Sequence, residues 1–214
     1  MNLRSPDAHA ARHVCICVNG ILTNPGESDG WTDRAVTWLQ TRTSARAEKF
    51  EYACGAILRR LRQQQRAEAI SRMCGFYFAA GFSVSLIGHS NGCDLIARVL
   101  ELTPQRFARV HLFAAAADWA PFAYALHMGR VDRVALYVSA NDRALRLGHL
   151  SRRLLGWLGL GYGNLGCVVP AAAEAHPQVT VSRHDDYGHS TWFERGDRFE
   201  ATMQLLLANE QISP

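Results

Sequence analysis

Short apolar segments alternate along the chain with longer segments in which apolar residues recur at helical spacing. The short segments, rich in valine, isoleucine and aromatic residues, predict strands over residues 13–18, 49–53, 83–87, 110–114, 134–139 and 179–182. The longer segments predict helices over residues 33–41, 56–80, 93–102, 144–158 and 192–208. Such alternation is typical of an α/β protein. We therefore predict a mainly parallel central sheet of about six strands, covered by helices on both faces.

The last predicted helix has a continuous apolar face, which indicates that it closes the core. This face is formed by Phe193, Phe199, Met203, Leu206 and Leu207. No internal repeat and no linker divides the chain, and 214 residues suffice for one substantial core. We expect a single domain over residues 1–214, with residues 1–12 as a loose N-terminal segment.

Composition and charge indicate an ordinary globular protein, since 48% of the residues are hydrophobic and 20% are charged. The net charge of +4 is mild, and the arginines between positions 59 and 66 are explained by a solvated helix face. We therefore expect no nucleic-acid partner. Neither a secretory leader nor an apolar run long enough to cross a bilayer is visible, which predicts a cytoplasmic protein without stable membrane insertion.

The six cysteines do not form a recognisable metal or disulfide framework. No pair has CxxC spacing, and Cys15 and Cys17 alternate within a predicted strand, as small buried apolar residues do. Neither a structural zinc site nor disulfide bonds are expected.

The strongest chemical signal lies where the third predicted strand ends. That strand runs directly into Gly88-His89-Ser90-Asn91-Gly92, and a helical pattern follows. In a strand–turn–helix of this kind the serine is strained and its hydroxyl is exposed, while the glycines avoid collisions with neighbouring backbone. The motif predicts Ser90 as a nucleophile, with the backbone N–H of Asn91 donating to an oxyanion at the start of the helix.

With this motif in place, the chain resembles the α/β-hydrolase superfamily, in particular small serine esterases and lipases without a large cap domain. The resemblance extends from about residue 13 to residue 208 and implies the chain order serine, acid, histidine. It also implies a second oxyanion donor in the loop after the first strand, Val18-Asn19-Gly20-Ile21-Leu22. Many relatives have His-Gly where this chain has Asn19-Gly20, and we expect the N–H of Ile21 to be the donor.

A serine hydroxyl needs a base to take its proton, and His189 is the best candidate. It follows the last predicted strand and precedes the last helix, where this fold places its base. His184 and His176 are less well placed.

The acid that orients this base has two candidates. Asp142 follows the strand over residues 134–139, and Asp118 follows the strand over residues 110–114. We prefer Asp142 and keep Asp118 as the alternative. Asp185 and Asp186 are too close to His189 in sequence to be favoured.

The surroundings of the predicted site are less clearly indicated. Only a short segment separates the fourth and fifth strands, which excludes a large cap, and Trp31, Trp119 and Phe122 are candidate apolar walls. The glycine-rich segment over residues 156–170 has three interpretations: a mobile flap over the site, a loop that touches a membrane, or a helix end followed by turns packed on the core.

These observations predict a serine hydrolase that cleaves a carboxylic ester or thioester of a small-molecule or lipid-like acyl substrate, without a metal or organic cofactor. The alternative is a non-catalytic binding or scaffold protein that retains the fold. A metal site formed by His184, Asp185, Asp186 and His189 is a weaker hypothesis, because the spacing matches no recognised motif. The oligomeric state is left open.

Overall fold

The computed structural model describes residues 12–20, 30–52, 62–155 and 163–210. In chain order its elements are β1 (His13–Val18), α1 (Trp31–Arg42), β2 (Arg46–Phe50), α2 (Gln63–Ala79), β3 (Ser83–His89), α3 (Asn91–Leu102), β4 (Phe107–Phe113), α4 (Ala120–His127), β5 (Val131–Val138), α5 (Arg143–Leu155), α6 (Ala171–Glu174), β6 (Val179–Arg183) and α7 (Asp197–Glu210). A 3₁₀ turn over Thr191–Phe193 precedes α7.

The six strands form one sheet in the order β2-β1-β3-β4-β5-β6, and every neighbouring pair is parallel. The predicted α/β architecture is therefore confirmed. The strand order changes direction between β1 and β3, and ligands of such sheets bind beyond the carboxyl ends of the strands at this switch point. The residues that follow β1 and β3 are thus placed where a site is expected.

Helices cover both faces of the sheet. Val14, Ile16 and Val18 point into a core formed with α2, α3 and α4, whereas Cys15 and Cys17 point into a second core formed with α1 and α7. Because both faces are buried, β1 is apolar from Val14 to Val18, while β3 and β4 also bury the polar residues Ser85 and His111. Each cysteine in the described ranges is buried and free of a disulfide.

Two predicted elements were misplaced, and two further strands, β4 and β5, begin at Phe107 and Val131, three residues earlier than predicted. The second strand occupies Arg46–Phe50, not residues 49–53, because it pairs with β1 in that register, and its partly exposed polar residues hide it from an apolar pattern. The helix predicted over residues 192–208 is interrupted: Glu194 is extended and Gly196 has φ 87°, so α7 begins at Asp197. Phe193 therefore belongs to the preceding 3₁₀ turn and not to the apolar face of α7.

Two helices were not expected from the sequence, and one loop segment can be compared with its interpretations in part. The helices α4 and α6 were not predicted, and they are short. The described part of the glycine-rich segment, residues 163–170, packs on the core: Leu165 N donates to Ala117 O at 3.2 Å and Gly166 N to Ala115 O at 3.0 Å. This arrangement agrees with packed turns in that part. Residues 156–162, most of the N-terminal segment and residues 56–61 of the second predicted helix lie outside the described residues.

Candidate active site

The turn between β3 and α3 holds Ser90 in a strained conformation, with φ 55° and ψ −123°. A non-glycine residue at such angles costs free energy and persists only when its surroundings fix it. Here the Ser90 N–H donates to Phe113 O at 3.0 Å, and Ser90 O accepts from Ala116 N at 3.1 Å. The last residue of β4 and the segment that follows it therefore both hold the backbone of the serine.

The two glycines of the motif are required by close packing. A Cβ atom on Gly92 would lie 2.4 Å from the carbonyl oxygen of Val18, and one on Gly88 would lie 2.7 Å from the side chain of Ile96. The close-packed interior leaves no room for the carbonyl oxygen of Val18 and the side chain of Ile96 to move away from such added Cβ atoms. The glycines thus allow β1, β3 and α3 to meet directly at Ser90.

Ser90, His189 and Asp142 form a continuous hydrogen-bonded chain. His189 Nε2 lies 2.9 Å from Ser90 Oγ, and His189 Nδ1 lies 2.7 Å from Asp142 Oδ2. The carboxylate can only accept from Nδ1–H, so Nε2 is the unprotonated nitrogen and accepts from the serine hydroxyl. Three side chains predicted from separate parts of the sequence are thus in contact.

Asp142 is fully buried, and α5 supplies the partner for its second oxygen. Asp142 Oδ1 accepts from Leu145 N at 3.0 Å, which makes this aspartate the N-terminal cap of α5. The carboxylate thus lies at the positive end of the helix dipole. One carboxylate therefore caps a helix and orients the imidazole at the same time.

The loops that carry Asp142 and His189 are tied to each other. Ser139 Oγ donates to Tyr187 O at 2.6 Å, and Asn141 Nδ2 donates to Asp185 O at 2.6 Å. These bonds connect the end of β5 to the segment after β6, so Asp142 and His189 keep a fixed separation. Their contribution was not anticipated from the sequence, since the partners are more than 40 residues apart.

His89, which precedes the serine, was also missed. Its Nε2 lies 2.8 Å from the carbonyl oxygen of His189, so this nitrogen carries the proton and donates it. Burial, followed by the repulsion from His189, lowers the pKa of His89 to about 3, and the ring is therefore neutral at ordinary pH. His89 thus holds the backbone of His189 in place. In the sequence, the only sign of this role was the position of His89 next to Ser90 in the motif.

The side chain of Asn91 is anchored behind the motif. Its Nδ2 donates to Tyr52 Oη at 2.8 Å, and its Oδ1 accepts from Gln63 Nε2 at 3.2 Å. These buried contacts fix the first residue of α3, whose backbone N–H follows the serine. Ile21, the second predicted oxyanion donor, lies outside the described residues.

Ser90 is less accessible than the motif predicts, with only 5% of the residue exposed. The loop after β1 approaches it closely, since a Cβ atom on Gly20 would lie 3.1 Å from Ser90 Cβ. The imidazole of His189, whose side chain is 26% exposed, lies on its other side. His189 is therefore the more exposed of these two residues.

The predicted apolar walls occupy different environments. Trp31 stacks on Phe193 at a centroid distance of 4.1 Å and lies 6.1 Å from the ring of His89, which places it beside the site. Trp119 is partly buried. Phe122 is fully buried in the core, so it is packed and offers no surface to a substrate.

The alternative residues have other partners. The exposed carboxylate of Asp118 pairs with Arg152 Nη1 at 2.6 Å, whereas Asp142 holds His189. His184 packs between the rings of Tyr187 and Trp192. His176 Nδ1 accepts from the backbone N–H of Gln178.

Side chains of the types that bind metal ions come together away from Ser90, near the amino end of β1. Within the described ranges, the one such cluster is His13, Cys15 and Glu210, whose ligand atoms lie within 4.8 Å of one another. The hypothetical metal set around His189 is not brought together in this way. Glu210 also accepts hydrogen bonds from Ser85 Oγ and His111 Nε2, so its carboxylate is held by an internal network.

Comparison with solved structures identifies the fold. An esterase/lipase from an uncultured bacterium superposes with a TM-score of 0.57 at 13% identity, covering 97% of this chain and 78% of that one. A lipase of Bacillus licheniformis in its mature form gives 0.52 at 13%, covering 96% of both chains. The RedJ thioesterase of the prodiginine pathway in Streptomyces coelicolor gives 0.50 at 12%, covering 98% and 96%.

The chain therefore has the α/β-hydrolase fold. No family model matches the sequence, and no curated protein matches it either.

Proposed function

We propose that this protein is a serine hydrolase that cleaves a carboxylic ester or thioester through an acyl-enzyme on Ser90. The observation that carries the proposal is the hydrogen-bonded chain from Asp142 through His189 to Ser90, with distances of 2.7 and 2.9 Å. A serine hydroxyl becomes a nucleophile when an oriented imidazole can take its proton, and this geometry provides that condition.

In the proposed mechanism His189 Nε2 takes the proton of Ser90 while Oγ attacks the carbonyl carbon of the substrate. Asp142 stabilises the imidazolium, which then gives the proton to the departing alcohol or thiol as the bond to the acyl carbon breaks. Water, deprotonated by His189, attacks the acyl-enzyme in the second half-reaction. The acid leaves and Ser90 regains its proton.

The oxyanion formed in both steps needs preorganised donors. We assign this role to the backbone N–H of Asn91 at the start of α3, and to Ile21 in the loop that brings Gly20 against Ser90. A donor of this kind is worth about 3 kcal/mol of transition-state stabilisation. The buried contacts of Asn91 with Tyr52 and Gln63 support a fixed position for the first donor.

The preference for esters or thioesters rests on two observations. The similar structures named above are described as an esterase/lipase, a lipase and a thioesterase. The connection between β4 and β5 contains only the short helix α4, so no large cap restricts the approach to Ser90. Trp31 lies beside His89 but is only 8% exposed, so it supports the site by packing and offers little surface to an acyl group.

Labelling with a fluorophosphonate probe tests whether Ser90 is activated. We expect the native protein to be labelled with one equivalent, and the Ser90→Ala and His189→Ala variants to take up no label. Ser44→Ala, which changes an exposed serine between α1 and β2, is the matched control and should be labelled like the native protein. Activity toward p-nitrophenyl esters of increasing chain length would then define the acyl pocket.

Absence of label on the folded native protein, together with absence of ester hydrolysis, would refute the proposal. That result would favour the alternative, a binding or scaffold protein that retains the fold.

A further inference from the structure

Helix α5 carries an exposed apolar stripe. Leu147, Leu150 and Leu154 are 67%, 50% and 66% exposed, and their spacing of three and four residues places them on one face of the helix. Leu145, on the opposite face, is buried in the core. Single exposed leucines are ordinary, but three aligned leucines are typical of a surface that meets another apolar phase.

The charge of α5 is entirely positive. Its sequence contains four arginines and no acidic residue. Arg143 and Arg146 are exposed and lie four residues before Leu147 and Leu150, so they share the leucine face. Arg152, by contrast, pairs with Asp118. A leucine stripe bordered by arginines is the pattern of helices that lie in the interface of an anionic bilayer.

This stripe begins at the candidate active site. Asp142 caps α5 and holds His189, so the first exposed turn of the stripe follows the catalytic loop directly. Val168, which is 60% exposed, follows Cys167, whose thiol donates to the carbonyl oxygen of Asp142. A second exposed apolar side chain is therefore carried by the segment that contacts the start of α5.

We propose that α5 docks the protein onto an anionic lipid surface and that the substrates are ester-linked lipids of that surface, the second part resting on the hydrolase function proposed above. Acyl chains would cover Leu147, Leu150 and Leu154, and anionic headgroups would neutralise Arg143 and Arg146. The docking is peripheral, because none of the helices in the described ranges is long and apolar enough to span a membrane.

A second copy of the chain fits this face less well. Pairing of two α5 helices would bury the leucines but would bring together arginines from both copies. Neither α5 offers a carboxylate to neutralise them. A lipid headgroup supplies the missing negative charge, which is why we commit to the lipid surface.

Co-sedimentation with vesicles tests the docking. Native protein should bind vesicles of equimolar phosphatidylglycerol and phosphatidylcholine, should bind pure phosphatidylcholine weakly, and should be released by salt. The Leu147→Gln/Leu154→Gln variant should bind at least about tenfold more weakly, since two apolar contacts are lost. Arg146→Gln should weaken binding about fivefold, the equivalent of one arginine near an anionic surface.

The matched control is Phe76→Gln/Leu102→Gln, which removes two exposed apolar side chains from α2 and α3 and should bind like the native protein. Ser90→Ala should also bind normally, so docking is measured independently of hydrolysis. With soluble short-chain esters the Leu147→Gln/Leu154→Gln variant should keep its rate, while its rate on phosphatidylglycerol in vesicles should fall with its binding.

Three results would overturn the proposal. The first is that the native protein fails to bind the anionic vesicles. The second is that the Leu147→Gln/Leu154→Gln and Phe76→Gln/Leu102→Gln variants bind them equally well. The third is that the native protein is a dimer and that the Leu147→Gln/Leu154→Gln substitution converts it to a monomer. The last result would assign the stripe to a contact between copies. If vesicle binding follows the prediction but no lipid is hydrolysed, docking stands and the substrate assignment fails.

Discussion

The Asp142→Asn variant should lose about four orders of magnitude in kcat toward a p-nitrophenyl ester, the loss that this change causes in a serine protease triad. The physical reason is the tautomer of His189. An amide can present N–H to the imidazole, which then carries its proton on Nε2 and cannot accept from Ser90 Oγ. The amide oxygen can still accept from Leu145 N, so the cap of α5 and the melting temperature should be largely retained.

Asp118→Asn is the matched control for this experiment. It changes the alternative acid, whose carboxylate contacts Arg152 and not His189, and should leave kcat within about twofold of the native value. A large loss in Asp118→Asn together with an active Asp142→Asn variant would reverse the assignment of the acid. Circular dichroism melting of both variants separates loss of chemistry from loss of fold.

The second large effect concerns stability and the buried carboxylate of Glu210, at the end of α7. Burial by itself raises its pKa, but the attraction of His111 and hydrogen bonds from His111, His13 and Ser85 outweigh it and lower the pKa to about 2. A carboxyl group whose pKa is lower in the folded state stabilises the protein above its unfolded pKa. This stabilisation is lost as the pH falls from about 4.5 to about 2.

Glu210→Gln should therefore lower the free energy of unfolding at pH 7 by about 3 kcal/mol, because the buried His111 and the partly buried His13 lose a charged partner. For a chain of this size such a change corresponds to a fall in melting temperature of about 10 °C. The variant should also lose less stability than the native protein between pH 5 and pH 3. Urea unfolding at several pH values measures both effects.

Glu101→Gln, at an exposed position at the end of α3, is the control and should unfold like the native protein. If Glu210→Gln were as stable as the native protein at pH 7, the network around Glu210 would have no net stabilising role.

The core of the fold could be predicted because the central strands are buried on both faces. The predicted strand over residues 13–18 coincides with β1, and its residues 14–18 form an uninterrupted apolar segment. The edge strand β2 was misplaced because its register depends on pairing with β1, which its own polar sequence does not reveal. The break before α7 depends on the positive φ of Gly196, and a helical pattern of apolar residues passes over such a position.

For the candidate site, the sequence indicated which residues end the strands but not which of them touch. The order serine, acid, histidine selected Ser90 and His189, and the choice between Asp142 and Asp118 depended on loop geometry. His89 could not be assigned a role, because its partner, the carbonyl of His189, is 100 residues away. Phe122 was predicted to line the site but is packed entirely within the core. An aromatic residue in a segment near the site can serve either purpose, and the sequence does not distinguish them.

The most direct test of the central claim is capture of the acyl-enzyme. Rapid mixing with p-nitrophenyl acetate, an acid quench and mass spectrometry of the peptides measure whether an acetyl group is attached and where. We predict a burst of about one equivalent of p-nitrophenol and an acetyl group on the peptide that contains Ser90. Ester hydrolysis that proceeds without this adduct, and at an unchanged rate in Ser90→Ala, would contradict the account.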